Sequence, residues 1–381
     1  MFPFVTCARL LIAWIVVIAF QLGGSTWLAA PITPFTGIVS FIVLFATIMT
    51  ASFGVVREAD HLAHQLGEPY GTLILTLSVV SIEVILIAAV MVGPGEFPTI
   101  GRDSIFAVMM IILNLVTGLC LLLGGLRYGE QEYNAQGAMT YMSMTILLTG
   151  TALVLPNALS TGDGTFPPGL AIALSVLTVL LYGAFLAMQT SDYSRLYIQP
   201  RAGELSVPLD TVEDIAGQGD AKPATGAALD RQAVLVRSVI LVASMLPIVL
   251  LAHDLAILID HGIKLAGAPV ALGGVLIAII VFTPESITAI RAALRNEMQR
   301  VVNLCLGAFV STVGLTVPAV LIVGLITGKT VVLGISAAET VLLLLTIALS
   351  TLTFLGHRTS PAQGLMHLML FAVFGVLIFG A

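Results

Sequence analysis

The sequence predicts an all-α polytopic membrane protein of about 11 transmembrane helices, one N-terminal helix followed by two inverted five-helix repeats. Three observations lead there. Hydrophobic residues make up 58% of the 381 positions and charged residues only 9%, with a mean hydropathy of +1.07, whereas soluble domains carry about 25% charge. Apolar runs long enough to cross a bilayer recur along the whole chain. Within two of them a glutamate ends the same pattern, Gly71 to Glu83 and Gly273 to Glu285, with a hydroxyl residue two positions earlier each time, Ser81 and Thr283.

A spanning helix needs about 20 mainly apolar residues. Candidate spans fall at 8–24, 35–54, 71–92, 104–124, 138–158, 169–189, 233–256, 270–290, 303–326, 331–354 and 365–380. The first carries Arg9 before its apolar stretch but is long for a secretory signal, so it reads as a retained helix. Lys and Arg test the count independently, because cytoplasmic loops collect them. With the N-terminus inside, twelve basic residues (Arg9, Arg57, Arg127, Arg195, Arg201, Lys222, Arg231, Arg237, Arg291, Arg295, Arg300, Arg358) fall on the cytoplasmic side and three (Arg102, Lys264, Lys329) outside. The expected setting is a bacterial inner membrane, with the C-terminus outside.

Between Thr190 and Gln232 lies the one long polar stretch, with seven acidic and four basic residues and Pro200, Pro208 and Pro223. It reads as a loosely ordered cytoplasmic linker. The chain then divides into an N-terminal helix (1–34), a first repeat (35–189), the linker (190–232) and a second repeat (233–381). Five helices per half force the second half to enter the membrane in the opposite sense, and inverted repeats place substrate and coupling-ion sites near the midplane at their interface.

Glu83 and Glu285 are therefore the candidate site. A carboxylate at the centre of a spanning helix costs about 2.5 to 3.5 kcal/mol on insertion scales, so a chain that places two in matched contexts gains function from them. Pro284 removes a backbone donor and disfavours helical geometry at Thr283. A helix break there would free carbonyls as ligands beside the Ser81 and Thr283 hydroxyls. Hard cations take carboxylate, carbonyl and water oxygens, and one divalent cation or two protons would leave the pair neutral.

The residues also carry a resemblance. The stretch from Arg57 through Glu-Ala-Asp-His to Glu83, together with Pro284-Glu285, Ala292 to Arg300, Asn303 to Gly307, Leu315 to Pro318, Tyr133 to Gly137 and Leu153 to Pro156, resembles the ChaA-type calcium/proton antiporters of the calcium/cation antiporter superfamily. The likeness runs from about residue 50 to the C-terminus. It implies a secondary antiporter, not an enzyme, exchanging a cation, foremost Ca2+, for protons through Glu83 and Glu285 as metal and proton ligands. The alternative is Na+/H+ or K+/H+ antiport at the same site, and less so a cation channel. It further implies support from Asn114, from Ser311 where the second repeat often holds Gln, and from Glu339, which matches an acidic position in the family. Asn303 joins these as a supporting residue within its motif. The Gly-Asn usual before each glutamate is replaced by Ser81-Ile82 and Thr283-Pro284.

Other polar positions read more plainly. His253-Asp254, with Asp260 and His261, suits a proton entry route or an interfacial anchor equally. Glu58 and Asp60 read as a solvated helix end, His61 and His64 as a wet face despite their i,i+3 spacing, and Asn157 and His367 as packing polars. Cys7, Cys120 and Cys305 show neither paired nor CxxC spacing, which suggests neither disulfides nor zinc. Gly324 to Thr330 resembles a phosphate-binding loop but is one residue too short between its glycines, so no nucleotide and no cofactor are expected. With a net charge of −6, nucleic acid is not a partner; the expected partners are inorganic cations, protons and the lipid bilayer.

Overall fold

The computed structural model describes residues 4–29, 31–66, 70–93, 97–159, 162–189, 192–198 and 231–380. Eleven long helices follow one another: α1 Phe4–Trp27, α2 Pro34–Leu66, α3 Tyr70–Val92, α4 Ile100–Tyr128, α5 Ala135–Ala158, α6 Pro168–Gln189, α7 Arg231–Ala266, α8 Ala271–Ala293, α9 Met298–Thr327, α10 Ala337–Phe354 and α11 Pro361–Gly380. Among the described residues ten are long and apolar enough to cross a membrane, and α3, of 23 residues, holds a shorter apolar stretch, Thr76–Val92. Large apolar side chains face outward throughout, with Leu22 81%, Phe35 79%, Ile326 80% and Val376 71% exposed. Only a lipid surround makes that surface favourable, because apolar area facing water would cost about 25 cal/mol per Å².

The packing is reciprocal between the halves. The first helices of the two repeats, α2 and α7, pack on each other, as do the second helices, α3 and α8. The second helix of each half lies against the third of the other, α3 on α9 and α8 on α4. The last helix of each half also crosses to the third of the other, α6 on α9 and α11 on α4. A two-fold relation between inverted repeats yields this pattern, and it puts α3, α4, α8 and α9 at the centre with α1 outside against α2 and α7. Of the linker span 190–232, residues 190–191 and 199–230 lie outside the described residues; Asp192–Tyr197 forms a 3-10 turn, and the last two positions already belong to α7.

Two helix starts differ from expectation or explain it. The tenth span was expected from residue 331, yet α10 begins at Ala337. Val331 to Ile335 run extended instead, held by a bridge from Val332 to Thr165 and by the Leu333 and Gly334 amides donating to the Gly164 carbonyl. Ser336 then caps α10: its hydroxyl accepts from the Glu339 amide at 3.3 Å, and the Glu339 carboxylate accepts from the Ser336 amide at 2.7 Å. In the same way, Asn134 starts α5 by accepting from the Gln136 and Gly137 amides.

The expected break at Pro284 does not occur. Helix α8 runs unbroken from Ala271 to Ala293, because a proline inside a membrane helix can be accommodated by local adjustment and by neighbouring helices. The irregular turns lie in the first half, as π-helical stretches at Met110–Val116 within α4 and Gly150–Val154 within α5. The second precedes Pro156, which has no amide to donate back along the helix. In the first, the Thr117 hydroxyl donates to the Ile112 carbonyl at 2.8 Å.

Candidate functional site

Glu83 sits mid-helix on α3 and is fully buried. The α3 register turns it toward α9, where the Thr312 hydroxyl donates to its Oε2 at 3.1 Å. Thr316, one turn further along α9, faces the same carboxylate without completing a hydrogen bond. Oε1 of Glu83 has no donor among the described residues. Glu285, on α8, is close enough to Glu83 for the two carboxylates to interact electrostatically, and its Oε2 is likewise buried without a donor. Each repeat thus places an acid on one of two adjacent helices, α3 and α8, each with an oxygen that has no donor among the described residues. A buried polar atom without a partner costs about 1 to 3 kcal/mol, more when charged, and an arriving cation or proton removes that cost.

Glu285 differs from Glu83 in access. It borders a cavity of about 400 Å³ that runs past Pro284 and Thr288 to Arg9, Arg57, Arg291 and Arg300. Toward the opposite end of the same helices the backbones pack closely. A Cβ on Gly274 of α8 would lie 2.6 Å from the Asp103 carbonyl carbon and from the Ser104 nitrogen of α4, and one on Gly101 would lie 2.6 Å from a Val320 methyl of α9. Glycines at these points let the backbones meet. Beside the seam Asp103 is buried and fully engaged, paired with Arg102 at 2.9 Å and accepting from Thr99 at 2.7 Å, while Arg102 also donates to the Gly334 carbonyl. The cavity therefore communicates with the arginine-bearing face, while α4 packs tightly against α8 and α9 toward the other.

The remaining expected residues lie elsewhere. Ser81 donates to the Leu77 carbonyl and Thr283 to the Ile279 carbonyl, each at 2.5 Å within its own helix; residues two apart on an intact helix point about 200° apart, so neither hydroxyl shares its glutamate's face. Asn114 is buried on the π-helical stretch of α4, but its amide donates to Thr346 at 3.0 Å and its oxygen meets His367 Nδ1 at 3.2 Å. The other ring nitrogen of His367 contacts Thr353 at 3.1 Å, so Asn114 is tied to α10 and α11 rather than to the carboxylates. Ser311 donates to the Ala308 carbonyl at 2.7 Å and faces Tyr182 of α6. Asn303 donates to the Tyr197 carbonyl at 2.7 Å, pinning the 3-10 turn to α9. Glu339 is the cap of α10 described above and lies outside the chamber.

Of the other polar residues, Glu58 is buried and paired with Arg237 at 3.3 Å, not solvated. Asp260 pairs with Lys264 at 2.8 Å, and Asp254 lies close to Gly24 of α1. The His64 side chain is outside the described residues, and among those described no group of three or more His, Cys, Asp and Glu could hold a metal ion. Thr312 and Thr316 escaped sequence reading. Their i,i+4 spacing marks a common face of α9, but nothing local says that this face meets Glu83.

A bundle of apolar helices in two reciprocally packed halves, with an acid from each half on neighbouring central helices, is the architecture of a membrane secondary transporter rather than an enzyme. The sequence profile of the sodium/calcium exchanger proteins matches residues 36–191 and 237–380, and the chain belongs to that family. It is 33% identical over 332 residues, 87% of this chain and 86% of the relative, to the sodium-potassium/proton antiporter ChaA of Escherichia coli (strain K12). Two solved structures share the fold: native YfkE, with a TM-score of 0.71 at 19% identity over 97% of this chain and 99% of that one, and an H+/Ca2+ exchanger, CAX, with a TM-score of 0.69 at 16% identity over 99% and 89%.

Proposed function

We propose that the chain is a cation/proton antiporter in which Glu83 and Glu285 bind the cation and the protons in turn. The observation that carries this reading is the pair of donor-less carboxylate oxygens on the adjacent helices α3 and α8, one from each repeat, with Glu285 bordering the cavity. Empty and ionised, the pair is a costly dianion in a low-dielectric core. A divalent cation or two protons neutralise it, so passage between states open to opposite sides is easiest when one or the other is bound. That condition alone couples the two fluxes.

The arginine-bearing face is cytoplasmic in this proposal, by the excess of basic residues on one side. The conformation is then inward-open, in a bacterial inner membrane, with the N-terminus inside and the C-terminus outside. The outward-open state requires α4 and α8 to part at Gly274 while α3 and α9 close over the cytoplasmic mouth. Ca2+ is the preferred cation, since two carboxylates match its charge and water in the cavity can complete the six to eight oxygens it takes. Na+ or K+ is the second reading. The small donor set favours it, two carboxylates and the Thr312 and Thr316 hydroxyls, and so does the name of the Escherichia coli relative.

Purified protein in liposomes with a trapped proton indicator tests both. Imposed Ca2+ gradients should drive opposing proton movement more strongly than equal Na+ or K+ gradients. The reverse order would select the monovalent reading, and cation flux indifferent to an opposing proton gradient would replace exchange with a channel.

A further inference from the structure

The mouth of the chamber has the wrong sign for a cation path. Arg9, Arg57, Arg291 and Arg300 line it, against Asp60 and, deeper in, Glu285. Arg300 is paired with Glu297 at 3.3 Å, whereas Arg9, Arg57 and Arg291 make no ion pair among the described residues. Arg9 and Arg57 have a second surface. They also line a cleft between α1, α2 and α7 whose walls include Leu10, Ala13, Ala51 and Gly54, and the carboxylate in that cleft, Glu58, is held by Arg237.

Depth fixes what fills such a cleft. Arg57 lies 23 residues along α2 from Pro34, a rise of ~35 Å, and Arg9 lies 18 residues along α1 from Trp27, ~27 Å. With a hydrocarbon core of about 30 Å, both guanidiniums stand at headgroup level on the arginine-bearing side. Below them the cleft wall is apolar, with Leu10, Ala13, Ala51 and Gly54, and the other faces of α1 meet lipid through the exposed Leu11, Ile12 and Ile15. Two unpaired guanidiniums match phosphate oxygens in bidentate fashion, and the apolar wall beneath them suits acyl chains; free phosphate would use only the upper part.

We infer that the cleft between α1, α2 and α7 binds the phosphate of an anionic phospholipid through Arg9 and Arg57, and that the bound headgroup cancels positive charge at the mouth through which the cation reaches Glu285. Lipid binding stands apart from the transport reading; the effect on entry rests on it.

The test begins with binding. The detergent-purified full chain should melt at a higher temperature with added phosphatidylglycerol than with phosphatidylcholine. The R9Q/R57Q variant should keep the wild-type melting temperature without lipid and need about 25-fold more phosphatidylglycerol for the same rise, since each basic residue near a lipid headgroup is worth about fivefold in binding. An equal response in both proteins overturns the site, and a rise produced by inorganic phosphate alone in phosphatidylcholine overturns the lipid as its occupant. In liposomes, adding phosphatidylglycerol should speed wild-type exchange more than that of R9Q/R57Q. General surface potential acts on both proteins alike, so equal acceleration contradicts the effect on entry while leaving the binding result to stand separately.

Discussion

Thr312→Val removes one oxygen from the chamber and almost no volume. Among the described residues the Thr312 hydroxyl makes the single completed hydrogen bond to Glu83, at 3.1 Å between fully buried partners. A hydrogen bond to a charged group contributes about 1.5 to 3 kcal/mol, and this one, at 3.1 Å, lies just beyond the usual range for two oxygens, so the lower figure applies. Without that donor the ionised carboxylate, the form that takes the cation, is held less well against competing protons. With every 1.4 kcal/mol worth tenfold, the half-saturating cation concentration should rise about tenfold. The maximal rate should hold, because both carboxylates remain. Thr316→Val, at a hydroxyl that faces Glu83 without a completed bond, should shift it by less than about threefold. The assay is cation-driven proton movement in liposomes across a cation series, with melting temperature as the folding control. An unchanged half-saturating concentration in Thr312→Val, in a protein that melts normally, would refute the reasoning that Glu83 holds the cation.

Other substitutions probe other parts of the account. Gly274→Ala sets a methyl against α4 backbone that cannot yield, which should cost about 1 to 3 kcal/mol and lower the melting temperature; unchanged melting would contradict the tight seam. Ser81→Ala and Thr283→Val remove hydroxyls satisfied within their own helices, so stability should stay within about 0.5 kcal/mol and cation affinity should not move. A raised half-saturating concentration in either would return that hydroxyl to the site. Glu339→Gln keeps the capping geometry and should exchange normally, whereas Glu339→Ala should lose about 0.5 to 2 kcal/mol by thermal melting; loss of exchange in the Gln variant would give Glu339 a proton-handling role.

Much of the fold was legible because a bilayer dictates locally. Each helix must satisfy its own backbone within about 20 apolar residues, so composition located the crossings, and parity with the basic residues ordered them. What failed was local reasoning about irregularity. Pro284 looked like a break and is not one, while the π-helical turn at Asn114 carries no proline or glycine and rests on contacts with Thr346 and His367, more than 230 positions away. The two glutamates stood out because buried charge is expensive wherever it falls. Their neighbours did not, since the Thr312 contact spans 229 positions and depends on how α9 rotates against α3. The misassignment of Ser81 and Thr283 was of another kind. Helical periodicity already puts a residue two positions away on a different face, and only the assumption of a broken helix hid it.

The central claim is that two carboxylates, one from each repeat, carry cation and proton in alternation. Glu83→Gln and Glu285→Gln, purified and reconstituted singly, test it most directly. Each should melt as the wild type does or higher, since a neutral amide relieves an unsatisfied buried anion, and each should show no proton movement in response to any cation gradient. Wild-type exchange in either variant would contradict the account.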